Sequence, residues 1–258
     1  MKILISGINS GLGRFLYENL GGTGFDKSDC PDTWPNKLIQ TKFDCIIHCA
    51  FNSAQSVKAK DLPEYIDDNV ILTQRLLALE YKKFIFMSSV DVYPKDGKLH
   101  SEDEIIDQAK TCGLYALTKS ISEEMVKQQS RNYLILRCSS LLGKYSRKNS
   151  LIRLLEAKKG FALSLSKNSK FNFVLHSDLL RFINIAIAHD YRGVYNIASK
   201  DSISLLRLAD HLGKTVKFGK FVYNAGKINT EKINSTYKGF KKRSISVVDE
   251  FVKEVENG

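Results

Sequence analysis

Residues 5–16 read ISGINSGLGRFL: an apolar run closes at Ser6, three glycines follow at positions 7, 11 and 13, and a second apolar run opens. Gly7, Gly11 and Gly13 allow a tight strand-to-helix turn and a close approach of backbone to a ligand. The first N–H groups of the helix have no partner of their own, so such a turn receives a diphosphate and reads as a dinucleotide-binding element. Working outward, apolar runs without strict alternation stand at Ile3–Ser6, Cys45–Cys49, Phe84–Met87 and Tyr133–Leu136. Short continuous runs of this kind suit strands buried on both faces of a parallel sheet. Helical stretches separate them over Leu12–Leu20, Leu62–Leu79 and Tyr115–Gln129; in the second, Ile66, Val70, Thr73, Leu76 and Leu77 form one stripe. Strand and helix in alternation predict an α/β chain with a doubly wound parallel sheet.

The glycine- and proline-rich stretch from Gly21 to Lys42 leaves room for only a short second strand, Thr23–Asp26. Asp26 lies 19 residues after Gly7, where a carboxylate holds the adenosine ribose hydroxyls, and Lys27 beside it could instead meet a 2′-phosphate. NAD and NADP both stay open, with the carboxylate favouring NAD. Beyond Gly143 the pattern predicts a helix over Leu151–Lys158, strands at Phe161–Leu165 and Phe171–Leu175, and a helix over Asp178–Ala188. A strand in GVYNIA (193–198) and helices over Ser204–Leu212 and Val247–Val255 follow.

The chain has 258 residues, 43% of them apolar and about a quarter charged, which is globular composition. No run of about 18 apolar residues is present, which excludes a membrane-spanning helix, and the first residues lack the features of a secretory signal. Cys30, Cys45, Cys49, Cys112 and Cys138 form no Cys-x-x-Cys pair. An odd number of cysteines without a leader fits a reducing cytoplasm, and one histidine near a cysteine, His48, makes no zinc site, so no metal is expected. Of the +11 formal charge, residues 1–138 carry 17 basic and 18 acidic side chains, and residues 139–258 carry 22 and 10. The excess cation in the second part suits a nucleic-acid surface or a lobe that receives a phosphorylated small molecule.

Tyr115 and Lys119, in YALTK, stand four residues apart, one turn along a helix face. A neighbouring ammonium stabilises a phenolate and brings tyrosine toward general acid–base work. Upstream, FIFMSSVDVYP (84–94) ends a parallel strand on Ser88 and Ser89, and open α/β sheets bind ligands beyond the carboxyl ends of their strands. With these residues the chain resembles the extended branch of the short-chain dehydrogenase/reductase superfamily, the NAD-dependent epimerase/dehydratase family acting on nucleotide sugars. The resemblance runs through DCIIHCAFNS (44–53), Asn69, MSSVDVY (87–93), YALTKSISEE (115–124), LILRCSSLLGKY (134–145), FVLHSDLLRFI (173–183) and GVYNIASKDSISL (193–205).

The resemblance implies a Rossmann-like core over residues 1–140 and 177–198, with a small C-terminal α/β substrate lobe over 141–176 and 199–258. It implies that Tyr115 is the acid–base residue, that Lys119 holds the nicotinamide ribose and lowers the tyrosine pKa, and that Ser89 hydrogen-bonds the reacting oxygen. The turn residues Gly7, Asn9, Ser10, Gly11, Leu12 and Gly13 would hold the cofactor with Asp26, Lys27, Ala50 and Phe51. Asn69 would be structural or part of a proton relay, and Arg137 structural. On the substrate side Asp91 stands near the reacting sugar, and Arg147, Lys148 and Arg153 are the cations for its diphosphate. A homodimer through the helices at 62–79 and 115–129 is the family expectation.

The chain departs from the family pattern in several places. Its glycine spacing is that of the compact branch, Pro94 stands where glycine is usual, and the Thr-Asp-Glu run of dehydratases is missing, which disfavours dehydration. His176 replaces an aliphatic residue. An epimerase and a ketoreductase fit the same residues. The rival classes are a non-catalytic NAD(P)-binding sensor or scaffold, opposed by the presence of Ser89, Tyr115 and Lys119 together, and a nucleic-acid binder, opposed by the lack of any nucleic-acid module.

Overall fold

Five of the expected apolar runs, and the short stretch after Gly22, become strands of one sheet whose four inner members pair on both sides while both faces are covered. In the computed structural model, which describes residues 1–27, 36–146, 148–157 and 161–256, these are β1 (Ile3–Ser6), β2 (Thr23–Phe25), β3 (Phe43–His48), β4 (Tyr81–Ser89), β5 (Tyr133–Cys138) and β6 (Gly193–Ile197). The sixth, β2, is the short strand allowed by the glycine-rich stretch. All pair in parallel, in the order β6-β5-β4-β3-β1-β2. After β2 the chain returns to the other side of β1, so the order reverses between β1 and β3. A crevice opens at that point beyond the strand ends, where a doubly wound sheet takes its ligand.

Helix α1 (Gly11–Leu20) packs with Ile3, Ile5 and the later helix His176–Ala188 on one face of the sheet. The other face carries the stretch from Leu62 and the long helix α4 (Leu114–Gln129). The expected single helix over 62–79 is instead α2 (Leu62–Ile66), a π-helical turn at Asp67–Ile71, and α3 (Leu72–Leu77). The wide turn inserts one residue, so Tyr65, Asp68 and Asn69 take the interior while Ile66 and Val70 are only half-buried. Its compensation is polar: Asn69 bonds both the N–H and the C=O of Asn52. Such turns are frequent at functional sites.

The expected strand at Phe171–Leu175 is split. Lys170–Phe171 pairs antiparallel with Ile203–Ser204, and Phe173–Leu175 pairs parallel with Ser140–Leu142. Asn172 stands between them because its side chain bonds the carbonyls of Ser199 and Asp201 and the N–H of Ser199. These pieces, with the helices Ser150–Leu155, Leu205–His211 and Ser244–Glu256, enclose a separate apolar cluster around Leu142, Phe173 and Phe251. No helix among the described residues is long and apolar enough to cross a membrane. Cys30 and Arg147 lie outside the described residues.

Arg137, the expected structural arginine, is fully buried and grips Glu123 of α4 with Nη2–Oε2 at 2.7 Å and Nε–Oε1 at 3.1 Å, while Nη1 donates to the Tyr93 hydroxyl at 2.8 Å. Ser88 Oγ donates to the same carboxylate at 2.5 Å. Removing one partner strands a charge in the interior. Arg137→Met is therefore expected to lower the unfolding free energy by about 3–5 kcal/mol in urea titrations, and Arg137→Met with Glu123→Leu to recover most of it.

Candidate active site

The β1–α1 turn is closed by two contacts that only glycine allows. Gly7 has φ +77°, and a Cβ there would lie 2.8 Å from the Ala50 backbone; a Cβ on Gly13 would lie 2.2 Å from the Gly7 carbonyl oxygen. Helix and strand end therefore meet backbone to backbone. Ser10 caps α1 without a side-chain bond, and no acidic residue sits in the first turn. The helix end keeps its N–H donors and its positive field for an anion.

Across the crevice, Ser6 Oγ accepts the N–H groups of Cys49 and Ala50, each at 3.1 Å. Its own proton then goes to His48 Nδ1 at 2.8 Å, which leaves the His48 proton on Nε2, donated to Thr73 Oγ1 at 3.0 Å. Thr73 donates on to the Asn69 carbonyl at 2.8 Å. Burial, with Lys119 adding to it, holds His48 near 3 and thus neutral. Asn69 lies within this scaffold and aims Asn52, which lines the cleft. Asn52 Nδ2 reaches Asp68 Oδ2 at 3.0 Å, and Asp68 Oδ1 takes Lys27 Nζ at 2.7 Å. Lys27 also pairs with Glu64 at 3.1 Å, so its charge is already matched.

The crevice continues as one cleft of about 780 Å³. Gly7, Ser10, Gly11, Leu12, Gly13, Asp26 and Lys27 line it on one side; Ala50, Phe51, Ser89, Asp91, Tyr115 and Lys119 line it on another. Asn9 is exposed and stands off the lining. Lys148 lines the cleft rim, exposed and paired with Glu156 at 3.3 Å. Arg153 faces a separate pocket of about 310 Å³ that shares Lys148. Reading the sequence gave no role to Asn52, Asp68, His176 and Tyr223, all cleft residues; the one signal was His176 standing where the family pattern has an aliphatic residue.

Lys119 is 3% exposed. Its ammonium donates to the Met87 carbonyl and lies 3.5 Å from the ring centroid of Phe51 and 4.7 Å from that of Phe86. Burial pushes it down to about 7, while the carbonyl and the ring faces favour the cation. The Tyr115 ring meets Phe51 edge-on at 5.7 Å. Burial and then the Asp91 carboxylate raise its phenol above the ordinary range, and hydrogen bonding from Ser89 opposes them. Ser89 Oγ accepts the Asp91 N–H at 3.1 Å, and Asp91 Oδ1 accepts Lys95 at 2.8 Å and the Tyr223 hydroxyl at 3.0 Å. A phenol, a hydroxyl and an ammonium thus share one cleft with an anion-receiving helix end, an arrangement able to hold a dinucleotide and move a proton beside it.

The model of one family, described as the NAD dependent epimerase/dehydratase family, matches residues 3–198. The chain belongs to that family. A comparison with curated protein sequences finds no match. Among solved structures, this family member resembles MoeE5 in complex with UDP-glucose and NAD at 18% identity and TM-score 0.82, covering 100% of this chain and 99% of that one. It also resembles the UDP-glucuronic acid 4-epimerase from Bacillus cereus in complex with UDP-glucuronic acid and NAD, at 20% identity, TM-score 0.78 and coverage of 100% and 99%. A dTDP-4-dehydrorhamnose reductase from Clostridium acetobutylicum matches at 19% identity and TM-score 0.82, with 99% and 100% covered. At these identities the likeness shows the fold.

The lowered Lys119 pKa has a definite sign in stability. Between about 7 and the ordinary 10.5 the unfolded chain binds a proton that the folded chain does not, so stability rises with pH across that window. Lys119→Met should unfold at higher temperature than the parent at pH 7. That advantage should shrink toward pH 10.5, by at most roughly 1.4 kcal/mol per pH unit, as read from paired thermal melts.

Proposed function

We propose that the chain is an NAD(P)-dependent epimerase or ketoreductase acting on a nucleotide-activated sugar, with Tyr115 as general acid–base and Ser89 and Lys119 as its partners. One observation carries this reading: Ser89, Tyr115 and Lys119 line the same cleft as the glycine turn, in a chain of the epimerase/dehydratase family. The cradle fits a dinucleotide: the bare Gly7 and Gly13 bring strand end and helix start together backbone to backbone, and the uncapped N–H groups that open α1 are left for a diphosphate.

Bound nicotinamide supplies the hydride chemistry. Gly7, Gly11 and Gly13 would take the diphosphate, Asp26 the adenosine ribose and Lys119 the nicotinamide ribose. The pairing of Lys27 with Asp68 and Glu64 supports the unphosphorylated cofactor, because a 2′-phosphate would have to compete with two carboxylates for that cation. Tyr115 exchanges a proton with a sugar hydroxyl or carbonyl oxygen, and Ser89 hydrogen-bonds that oxygen. Proton removal needs the phenolate, which burial and Asp91 oppose; the Lys119 ammonium is the nearby group able to offset them. Residues 141–176 and 199–258 would form the substrate lobe, with Lys148 at the rim meeting the sugar's diphosphate. MoeE5 and the UDP-glucuronic acid epimerase, both in complex with UDP-linked sugars and NAD, support UDP-sugars as the first substrates to assay.

The test is Tyr115→Phe against a panel of UDP- and dTDP-sugars, supplied with NAD or with NADPH, the products separated by chromatography against epimer standards and weighed by mass spectrometry. Turnover is expected to fall by about 100- to 10,000-fold while NAD affinity stays within a factor of about three. Undiminished turnover removes Tyr115 from the reaction. Conversion that needs added NADPH identifies a reductase, and conversion with NAD unconsumed identifies an epimerase.

A further inference from the structure

Two cleft residues carry a buried polar atom with no hydrogen-bond partner among the described residues: Ser139 Oγ and His176 Nδ1. Ser139 follows Cys138, whose thiol feels the Lys119 charge, and so belongs to the reaction end. His176 belongs to the glycine-turn end. It opens the 13-residue helix His176–Ala188, is 2% exposed, and leans on Phe15 of α1 with ring centroids 5.4 Å apart. On its other side the ring fills the space of a missing side chain, since a Cβ on Gly143 would lie 2.3 Å from Nδ1. Two residues further, the Tyr145 carbonyl lies 3.9 Å from where a Gly11 Cβ would stand. The ring is thus wedged into the cleft wall that faces the start of α1.

We propose that His176 donates a hydrogen bond to the diphosphate of the dinucleotide at the glycine turn, gripping it from the side opposite the α1 N–H groups. The inference rests on the dinucleotide reading given above. Nδ1 is sealed against Gly143, off the cleft, so the ring meets the cleft by its other edge and Nε2 is the nitrogen placed to donate to a ligand there. Burial holds the imidazole near 4, and so neutral at pH 7, with one N–H to give. A diphosphate offers only acceptors, and a hydrogen bond to a charged oxygen is stronger than one between neutral groups. A nucleotide sugar also carries a diphosphate; the closeness of His176 to α1 selects the dinucleotide.

The experiment is calorimetric titration of the full chain, its His176→Phe variant and its His176→Gln variant with NAD, ADP-ribose and UDP-glucose, beside ligand-free thermal melts. Phe keeps the ring against Phe15 and loses both nitrogens. The proposal expects NAD and ADP-ribose to bind about tenfold more weakly to the Phe variant, by equal factors. UDP-glucose should be unaffected, the ligand-free melting point unchanged or raised, and Gln should recover part of the loss. Unchanged NAD and ADP-ribose affinity overturns it, as does a loss confined to UDP-glucose or to NAD alone. If the Phe variant does not fold, His176→Val carries the same expectations. A parent chain that binds neither NAD nor NADP defeats the functional reading itself, an outcome distinct from tight binding that ignores His176.

Discussion

The hydroxyl of Ser6 ties together the two strand ends at which the sheet reverses its order. It accepts two N–H groups from the end of β3 and gives its proton to His48, and that direction of donation passes through Thr73 to Asn69. Each bond contributes only about 0.5–1.5 kcal/mol net, but an unmatched member would cost more, because the Ser6, His48, Thr73 and Asn69 side chains are fully buried. The network therefore allows one arrangement of protons and one spacing of the crevice walls. The glycine turn on one side and Phe51 and Asn52 on the other are held by it. A cleft open enough for a ligand is kept open by polar bonds behind it, while the apolar packing lies further down the sheet.

The Tyr115 end of the cleft is assembled against electrostatic preference. Lys119 is buried on a carbonyl and two aromatic faces, and Tyr115 is raised by burial and by a nearby carboxylate. Neither state suits proton removal in the ligand-free chain. A bound ligand that excludes water and draws Lys119 toward Tyr115 would change both at once, coupling the phenolate to occupancy. Asp91, tied to Lys95 and Tyr223, adds to burial in holding the phenol protonated. The same Tyr223 bond joins the C-terminal segment to the turn after β4, so Tyr223, Asp91 and Tyr115 line one cleft.

Much of this was legible in the sequence. The parallel strands, the glycine turn and the Tyr115–Lys119 step depend on local patterns that survive without tertiary context. The π-helical turn at 67–71 was hidden because one inserted residue leaves composition and apolar content unchanged; only the partnership of Asn69 with Asn52 reveals it. The split of 170–175 was hidden for a similar reason, since Asn172 reads as a polar residue in an apolar run until its carbonyl partners at 199 and 201 are in place. Arg153 was chosen for its charge near a strand end, and the fold turns it to a different pocket. His176 and Tyr223 enter the cleft from positions far along the chain, which no short-range spacing could indicate.

A crystal structure of the chain grown with NAD tests the central claim most directly. The account predicts one dinucleotide per chain, its diphosphate on the N–H groups that open α1, and Lys119 turned from the Met87 carbonyl onto the nicotinamide ribose beside Tyr115. An empty cleft at saturating NAD, or a dinucleotide bound elsewhere with Lys119 still on Met87, would contradict it.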